Sequence, residues 1–572
     1  MKVADYLAQD LEKRGVTHVF ELVGGMIAML LDSLYLRKRI EIISMHHEQA
    51  AGFAAEGYGR MKGIPGVAMA TSGPGATNLL TAIGSCYFDS VPAVFITGQV
   101  NRHELKGNRP IRQLGFQETD IVSMARPITK AATLVYDAAD FPRLLQEAFS
   151  IAIAGRPGPV LLDIPMDVQG SDLPISKATV AYPPSIESQA NPGEFFAQVN
   201  SALAKARRPL ILAGGGVSSG PVRDLFRGFI TRLGIPMVNS LMGVDILPYR
   251  HPLRVGLIGS YGNRWANLAL SECDVLLVLG SRLDIRQTGA DTQGFKGKKQ
   301  IFHVDCEAAE INNRVRGCVS LVSDLLSFIR AAETELSTWS GDSDWISRIS
   351  ELRMKWPDSS ELASVEGINP NTFMHKLSGR SSLAAAFVVD VGQHQMWAAQ
   401  SLRLERAQRF LTSGGMGAMG FALPTAIGAC LASNQPVVVL AGDGGFQVNI
   451  QELQTVIRLR LPIKIIVINN HCHGMVRQFQ ESYFHGRVQS TVWGYSAPSF
   501  TAVASAYGIP ARSVLHEKQI EAGLESLWED PLLPFLLEVT ISTAANAYPK
   551  MAFGRPISEM EPLAKPVAME GT

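Results

Sequence analysis

Eight short apolar runs, each closed by glycine, aspartate, asparagine or proline, constrain the fold of this chain more than any other feature. They are Gly66–Ser72 (GVAMATS), Pro92–Gly98 (PAVFITG), Pro159–Pro165 (PVLLDIP), Pro209–Gly214 (PLILAG), Asp274–Gly280 (DVLLVLG), Phe387–Val391 (FVVDV), Pro436–Gly442 (PVVVLAG) and Lys464–Asn470 (KIIVINN). Runs of this length, apolar throughout, mark strands buried on both faces. Helical patterns such as Glu48–Met61 and Asn449–Arg460 lie between them. Strands without a polar face that alternate with helices build parallel sheets covered on both sides. The expected fold class is α/β, with three doubly wound parallel-sheet domains, as 572 residues allow.

Two stretches lose the rhythm and read as linkers, Gln169–Gly193 and the Pro-, Ser- and Asp-rich region from Glu333 to Pro370. Cutting there gives expected domains at 1–170, 190–335 and 365–545, with a tail at 546–572. Glycine-rich turns lead into helices in the first and third domains, at Ser72–Asn78 and Ser413–Gly420, which suggests two related modules. Apolar residues make up 46% and charged residues 18%, so the bulk of the chain is not disordered. With 52 basic against 52 acidic residues, nothing steers it toward nucleic acid. No run of eighteen uncharged apolar residues offers a membrane span, and MKVADYLAQDLEKRG lacks the pattern of a signal peptide, so the expected location is the cytoplasm. Six scattered cysteines, with no C-x-x-C pair, argue against a disulfide framework or a zinc finger.

The sharpest constellation lies in the third domain. The strand PVVVLA runs into Gly442-Asp443-Gly444-Gly445, a helical stretch follows, and the next strand ends at Asn469-Asn470. A strand, a crossover helix and a parallel strand bring Asp443 and Asn470 to one carboxyl edge, where open α/β sheets bind ligands. A carboxylate oxygen and an amide oxygen there suit a hard cation such as Mg²⁺, which needs further oxygens of the kind a diphosphate supplies. The glycines let backbone N–H groups approach that diphosphate.

This GDG…NN spacing resembles the thiamine diphosphate motif. With Val391–Trp397 (VGQHQMW), Leu411–Pro424 (LTSGGMGAMGFALP) and His46–Arg60 (HHEQAAGFAAEGYGR), the chain resembles the acetohydroxyacid (acetolactate) synthase family from Met1 to about Glu538. The resemblance implies pyrimidine-binding, central Rossmann-like and diphosphate-binding domains, in that order. It implies that Gln393, His394, Gly417, Gly442, Gly444, Gly445 and Met475 contact thiamine diphosphate, with Met419 wedging it into a bent form. Asp443, Asn470 and the Cys472 carbonyl would hold Mg²⁺. Glu48 would hydrogen-bond the aminopyrimidine ring and promote removal of the thiazolium C2 proton, a role that suits a carboxylate kept protonated in an apolar pocket. Gly25, together with Phe116 and Gln117, falls where the family surrounds the reacting carbons.

In the middle domain a strand running into Gly214-Gly215-Gly216, with Asp305 at a later strand end, is a general dinucleotide arrangement. In the family this domain binds a non-redox FAD, and the stretches around Gly214, Gly215, Ser240, Leu241, Gly280, Arg282, Asp284 and Asp305 resemble its contacts; a vestigial domain without flavin is the alternative. Arg286 matches the arginine that receives the carboxylate of the second oxo acid. Departures concentrate on the acceptor side: Ser260 and Tyr261 replace a methionine and the following residue, Phe479 a tryptophan and Met166 a lysine, while Asn101–Gly115 is longer and the tail PKMAFGRPI differs. The expected reaction is decarboxylation of pyruvate and ligation of the two-carbon unit to a ketone, either a second 2-oxo acid or, as in relatives from polysaccharide pathways, a nucleotide-activated ketosugar. An NAD-type oxidoreductase leaves Glu48 and Asn469-Asn470 unexplained, and intact Glu48, Asp443 and Asn470 argue against a noncatalytic paralogue. The family also implies a homodimer or homotetramer with active sites at the subunit interface.

Overall fold

All eight apolar runs are strands of parallel sheets in the computed structural model, which describes residues 1–173, 192–218, 220, 222–341 and 343–567. The first sheet contains β1 (His18–Leu22), β2 (Glu41–Ser44), β3 (Gly66–Ala70), β4 (Ala93–Gln99), β5 (Ala131–Leu134) and β6 (Pro159–Pro165), in the spatial order 2-1-3-4-6-5. The second contains β7 (Pro209–Ala213), β8 (Met237–Asn239), β9 (Arg254–Leu257), β10 (Val275–Leu279), β11 (Gln300–Asp305) and β12 (Val319–Val322). The third contains β13 (Ala386–Val389), β14 (Arg409–Thr412), β15 (Val437–Gly442), β16 (Ile463–Asn469), β17 (Ala511–Val514) and β18 (Phe535–Thr540). Every residue of β3, β4 and β6 is buried, as helices on both faces require.

Counted within its own unit, the third sheet repeats the order of the first, whereas the second runs 3-2-1-4-5-6 when counted from β7. The first and third units are therefore related modules, but the paired turns are not the two expected from the sequence. Ser72–Gly75 follows the third strand of its sheet, as Gly442–Gly445 does. Ser413–Gly420 follows a second strand, and its counterpart is the loop Met45–His47 ahead of the helix Glu48–Lys62. Glycine spacing alone cannot register two modules, because it ignores which strand each turn closes.

The helices Glu48–Lys62 and Ala422–Ser433 occupy equivalent places and cross each other face to face. Small residues let their backbones touch: a Cβ on Gly57 would overlap the Thr425 carbonyl, and one on Gly428 would overlap the Ala54 carbonyl. The two contacts are reciprocal, as in a two-fold interface. Phe53 and Phe421 seal the crossing edge to face, with ring centroids 5.4 Å apart.

The region Glu333–Pro370 is not the linker its composition suggested. It holds a helix, Ser343–Lys355, and a 3₁₀ turn, Asp358–Leu362. Trp345, Ile349 and Leu352 fall at i, i+4 and i+7 and are buried, and Trp345 Nε1 donates to the Pro209 carbonyl at 3.0 Å. The apolar stripe outweighs the polar composition around it. Trp345→Ala should lower stability by about 3–5 kcal/mol, read as an earlier denaturation midpoint. Of the first expected linker, residues 174–191 lie outside the described residues. In the tail, β19 (Lys550–Met551) and β20 (Met560–Glu561) form an antiparallel pair, and the Met551 N–H donates to the Ser260 carbonyl at 2.7 Å.

Candidate active site

The register of β15 on β16 sets Gly442 level with Ile468, so Asp443 and Asn470 leave the sheet at the same edge. Burial raises the Asp443 carboxyl above its ordinary value, and its Oδ2 has no hydrogen-bond partner. Asn470 Nδ2 donates to Gln393 Oε1 at 3.1 Å, and Asn470 Oδ1 accepts from the Cys472 N–H at 3.2 Å. Burial pushes the Cys472 thiol up to about 11, which keeps it protonated. His394 is buried beside Gly442; desolvation pushes its imidazole down to about 3, and its neutral ring carries an unpartnered Nε2. A carboxylate oxygen and an imidazole nitrogen, both without partners beside a glycine turn at one sheet edge, fit a phosphate-bound hard cation.

Asn469 does different work from its neighbour. Its side chain bonds Glu538 at 2.9 Å and receives the His471 N–H, which ties β16 to β18. Met419 reaches the same turn, its methyl within 3.5 Å of where a Cβ on Gly444 would stand. Gly417 is left-handed at φ +67° and faces open space.

Three contributors carried no sequence signal strong enough to single them out. Asp390, at the end of β13, accepts from the backbone N–H groups of Val391 (2.8 Å), Gly420 (3.0 Å) and Ala422 (2.9 Å), and so pins the loop that bears Met419. Burial raises its carboxyl to about 6. His473 and Tyr495 meet edge to face, with ring centroids 4.5 Å apart, beside Gly444 and Asp443. The strand-end Asp in FVVDV was the available clue to Asp390; Tyr495 comes from a distant loop that no local pattern connects to the site.

The residues assigned to the flavin converge on one cavity of about 360 Å³, lined by Gly215, Ser240, Leu241, Gly280, Arg282, Asp284 and Asp305 among others. It opens at the switch point between β7 and β10, where an open sheet of this order takes its ligand. Gly214 lies behind the lining, where a Cβ would overlap the Gly280 carbonyl. Asp284 caps a short helix through the Arg286 N–H at 2.8 Å, so its carboxylate is already engaged. Asp305 ends β11, across the switch point from the second-strand end that carries the acid in a dinucleotide fold; here that end is Asn239-Ser240.

A second cavity, of about 440 Å³, is lined by Ser260, Arg286, Met475, Phe479 and the tail from Lys550 to Arg555. Ser260, Tyr261 and Arg286 border both cavities. Phe479 and Tyr483 form an aromatic wall, with centroids 4.8 Å apart. Met166 and the long segment Asn101–Gly115 line neither cavity; they sit together at the first sheet, joined by an Arg102–Asp167 ion pair of 2.7 Å.

Glu48, Gly25 and Gln117, with Phe116 beside them, form a separate group around the turn Ser72–Gly75. Glu48 Oε2 accepts from Asn78 Nδ2 at 2.9 Å, and Gln117 (φ +65°) packs on Gly73. Phe116 is 80% exposed, and a Cβ on Gly25 would meet open space. Next to Glu48 the helix touches the third unit through Gln49, which accepts at 3.0 Å from Asn449, the C-cap of the helix that Asp443 opens.

Comparison with known proteins settles the family. Residues 1–124, 196–332 and 390–539 match, respectively, the N-terminal TPP binding, central and C-terminal TPP binding domains of thiamine pyrophosphate enzymes. The acetolactate synthase large subunit of Lactococcus lactis is 37% identical over 96% of this chain and 94% of its own length. The acetolactate synthase isozyme 2 large subunit of Escherichia coli is 36% identical over 98% of this chain and 99% of its own. The chain belongs to the acetolactate synthase family of thiamine pyrophosphate enzymes. A chloroplastic acetolactate synthase of Nicotiana tabacum is also 36% identical over 97% of the chain. As a member of the acetolactate synthase family it is a thiamine diphosphate-dependent enzyme that decarboxylates pyruvate and ligates the product. Among the described residues no helix is long and apolar enough to cross a membrane.

Proposed function

We propose that this enzyme joins the two-carbon unit from pyruvate to a second 2-oxo acid, giving acetolactate when that acid is another pyruvate, in service of branched-chain amino acid synthesis. The charge balance of the 440 Å³ cavity supports this reading over a ketosugar acceptor. Lys550 is paired with Glu561 at 3.0 Å and Arg555 with Glu559 at 4.0 Å. Arg286 makes no ion pair among the described residues, and its Nη2 lies 3.9 Å from the Met396 sulfur. One uncompensated guanidinium matches one carboxylate, whereas a nucleotide-activated sugar brings at least two negative charges. The wall of Phe479 and Tyr483 suits the short alkyl group of an oxo acid.

The geometry supports the remaining roles. Thiamine diphosphate, when bound, supplies an electron sink for the carbanion left as carbon dioxide departs. Gln393 and His394, with the glycine turn, would hold its diphosphate, while Asp443 Oδ2, Asn470 and the Cys472 carbonyl would hold Mg²⁺. Asp390 keeps Met419 against the turn. Asn78 fixes Glu48 through Oε2, leaving Oε1 beside Gly75 to exchange a proton with the aminopyrimidine. That the hydrogen-bonded contact of Glu48 stays within its own unit while Phe116 lies bare supports an active site shared between two copies, Glu48 of one facing Asp443 of the other, in a homodimer or homotetramer. The switch-point cavity is the place for FAD, in a structural role.

Carbon-labelled pyruvate offered together with 2-oxobutyrate and a panel of nucleotide-activated ketosugars, with products read by mass spectrometry, tests the acceptor. Labelled acetolactate and acetohydroxybutyrate are the expected products. Label accumulating on a sugar would sink the reading.

A further inference from the structure

A third cleft, of about 510 Å³, lies where the three units meet and shares no lining residue with the two cavities above. Six cations line it, Arg60, Lys62, Arg223, Arg227, Arg406 and Arg409, against a single lining carboxylate, Asp224, whose side chain is 76% exposed. Beneath them Asp245 is buried; burial alone would raise its carboxyl, yet Arg409 (2.8 Å) and Arg223 (3.6 Å) hold it below its ordinary value.

Two buried carboxylates, Asp245 and Glu56, which lies 3.2 Å from Arg60, do not satisfy six cations. Arg223 is 8% exposed; its Nη2 donates to the carbonyls of Asp245 and Gln408, but its Nε has no partner. Burial, with Arg409 and Arg227 nearby, pushes its guanidinium down to about 10. Lys62 and Arg406 are exposed and make no hydrogen bond or ion pair among the described residues. Like charges spread over a convex surface are ordinary; gathered in a concave cleft with one guanidinium buried and short of an acceptor, they focus a field that attracts anions. Arginines read phosphate oxygens in pairs, and the helix Val222–Leu233, whose first turns bring Arg223 and Arg227, points its positive end into the same region. Among the described residues no aromatic ring lines the cleft to stack a base.

We propose that this cleft binds a small polyanion with at least two linked phosphates, such as pyrophosphate, tripolyphosphate or the phosphate chain of a nucleoside triphosphate. Its ligand would bridge all three units. Arg60 and Lys62 end the helix that begins at Glu48, Arg409 opens the strand that leads to the Met419 loop, and Arg223 and Arg227 belong to the middle unit. The proposal is independent of the acceptor assigned above.

Calorimetric titration of the holoenzyme, saturated with thiamine diphosphate, Mg²⁺ and FAD so that those phosphate sites are filled, tests it with tripolyphosphate, ATP, pyrophosphate and orthophosphate in parallel. Tripolyphosphate should bind once per chain. The variant Lys62→Gln/Arg406→Gln, which alters two solvent-facing residues without protein partners, should keep its polyanion-free pyruvate turnover and bind at least about tenfold more weakly. Equal affinity for ATP and tripolyphosphate would support the site with the phosphate chain as the whole recognised group; tighter ATP would support it with a nucleotide as the source. Absence of polyphosphate binding, unchanged affinity in the variant, or binding of orthophosphate alone would overturn it.

Discussion

Glu48→Gln protein is expected to melt at the wild-type temperature, to bind thiamine diphosphate, and to turn pyruvate over about 10²- to 10⁴-fold more slowly, the range that a positioned proton-transfer group supplies. The exchange is nearly isosteric. Glu48 opens its helix with His47 as the capping residue, so the helix start does not depend on the carboxylate. Asn78 can donate to a glutamine oxygen as it does to Oε2. What the amide lacks is a proton that can leave and return. Circular dichroism melts, cofactor titration and steady-state kinetics on one preparation separate the outcomes. A variant with near-normal turnover removes Glu48 from the chemistry, and one that fails to fold makes it a structural residue. If the active site is shared as proposed, mixing Glu48→Gln chains with Asp443→Ala chains should restore activity at one of the two sites in each hybrid dimer, which neither parent shows alone.

The second large effect belongs to the helix crossing. Gly428→Val should be strongly destabilising, at or beyond the upper end of the 1–3 kcal/mol typical of overpacking, because the added carbons meet the Ala54 carbonyl, which has no rotamer to escape into. Gly57→Val meets the Thr425 carbonyl in the same way. Forcing the helices apart once makes room for both side chains, so the double variant should lose less than the sum of the singles. Apparent midpoints of thermal denaturation for the three variants decide this. Additive losses would mean that the two contacts yield separately and that the helices are not packed as rigid bodies.

The eight strands legible in the sequence are largely interior ones, where burial on both faces leaves an unbroken apolar run. The edge strands β5, β12 and β17 escaped because they are only partly buried, and half-buried residues make no such run. The diphosphate edge was legible for a related reason: one crossover fixes Asp443 and Asn470 on the same edge whatever the rest of the chain does. Asp390 was not, since two of its three hydrogen bonds come from Gly420 and Ala422, thirty and thirty-two residues on, whose placement depends on tertiary packing. The helix around Trp345 was hidden by polar neighbours that its composition weighed equally with its buried stripe. Glu48 could be read as chemistry but not placed, because its hydrogen-bond partner Asn78 lies thirty residues along the chain, beyond any local pattern.

The crossing of the helices Glu48–Lys62 and Ala422–Ser433 also sets a timetable. The two surfaces are separated by more than half the chain, so the first unit leaves the ribosome with its alanine- and glycine-rich face uncovered. At about 5–20 residues per second, the partner helix emerges roughly 20 to 75 s later. For that interval the nascent chain presents a tight backbone groove that fits its own later module and, equally, the same module of a neighbouring chain on a polysome. The reciprocal geometry that locks the finished monomer is thus also the point at which its biosynthesis is most open to domain exchange.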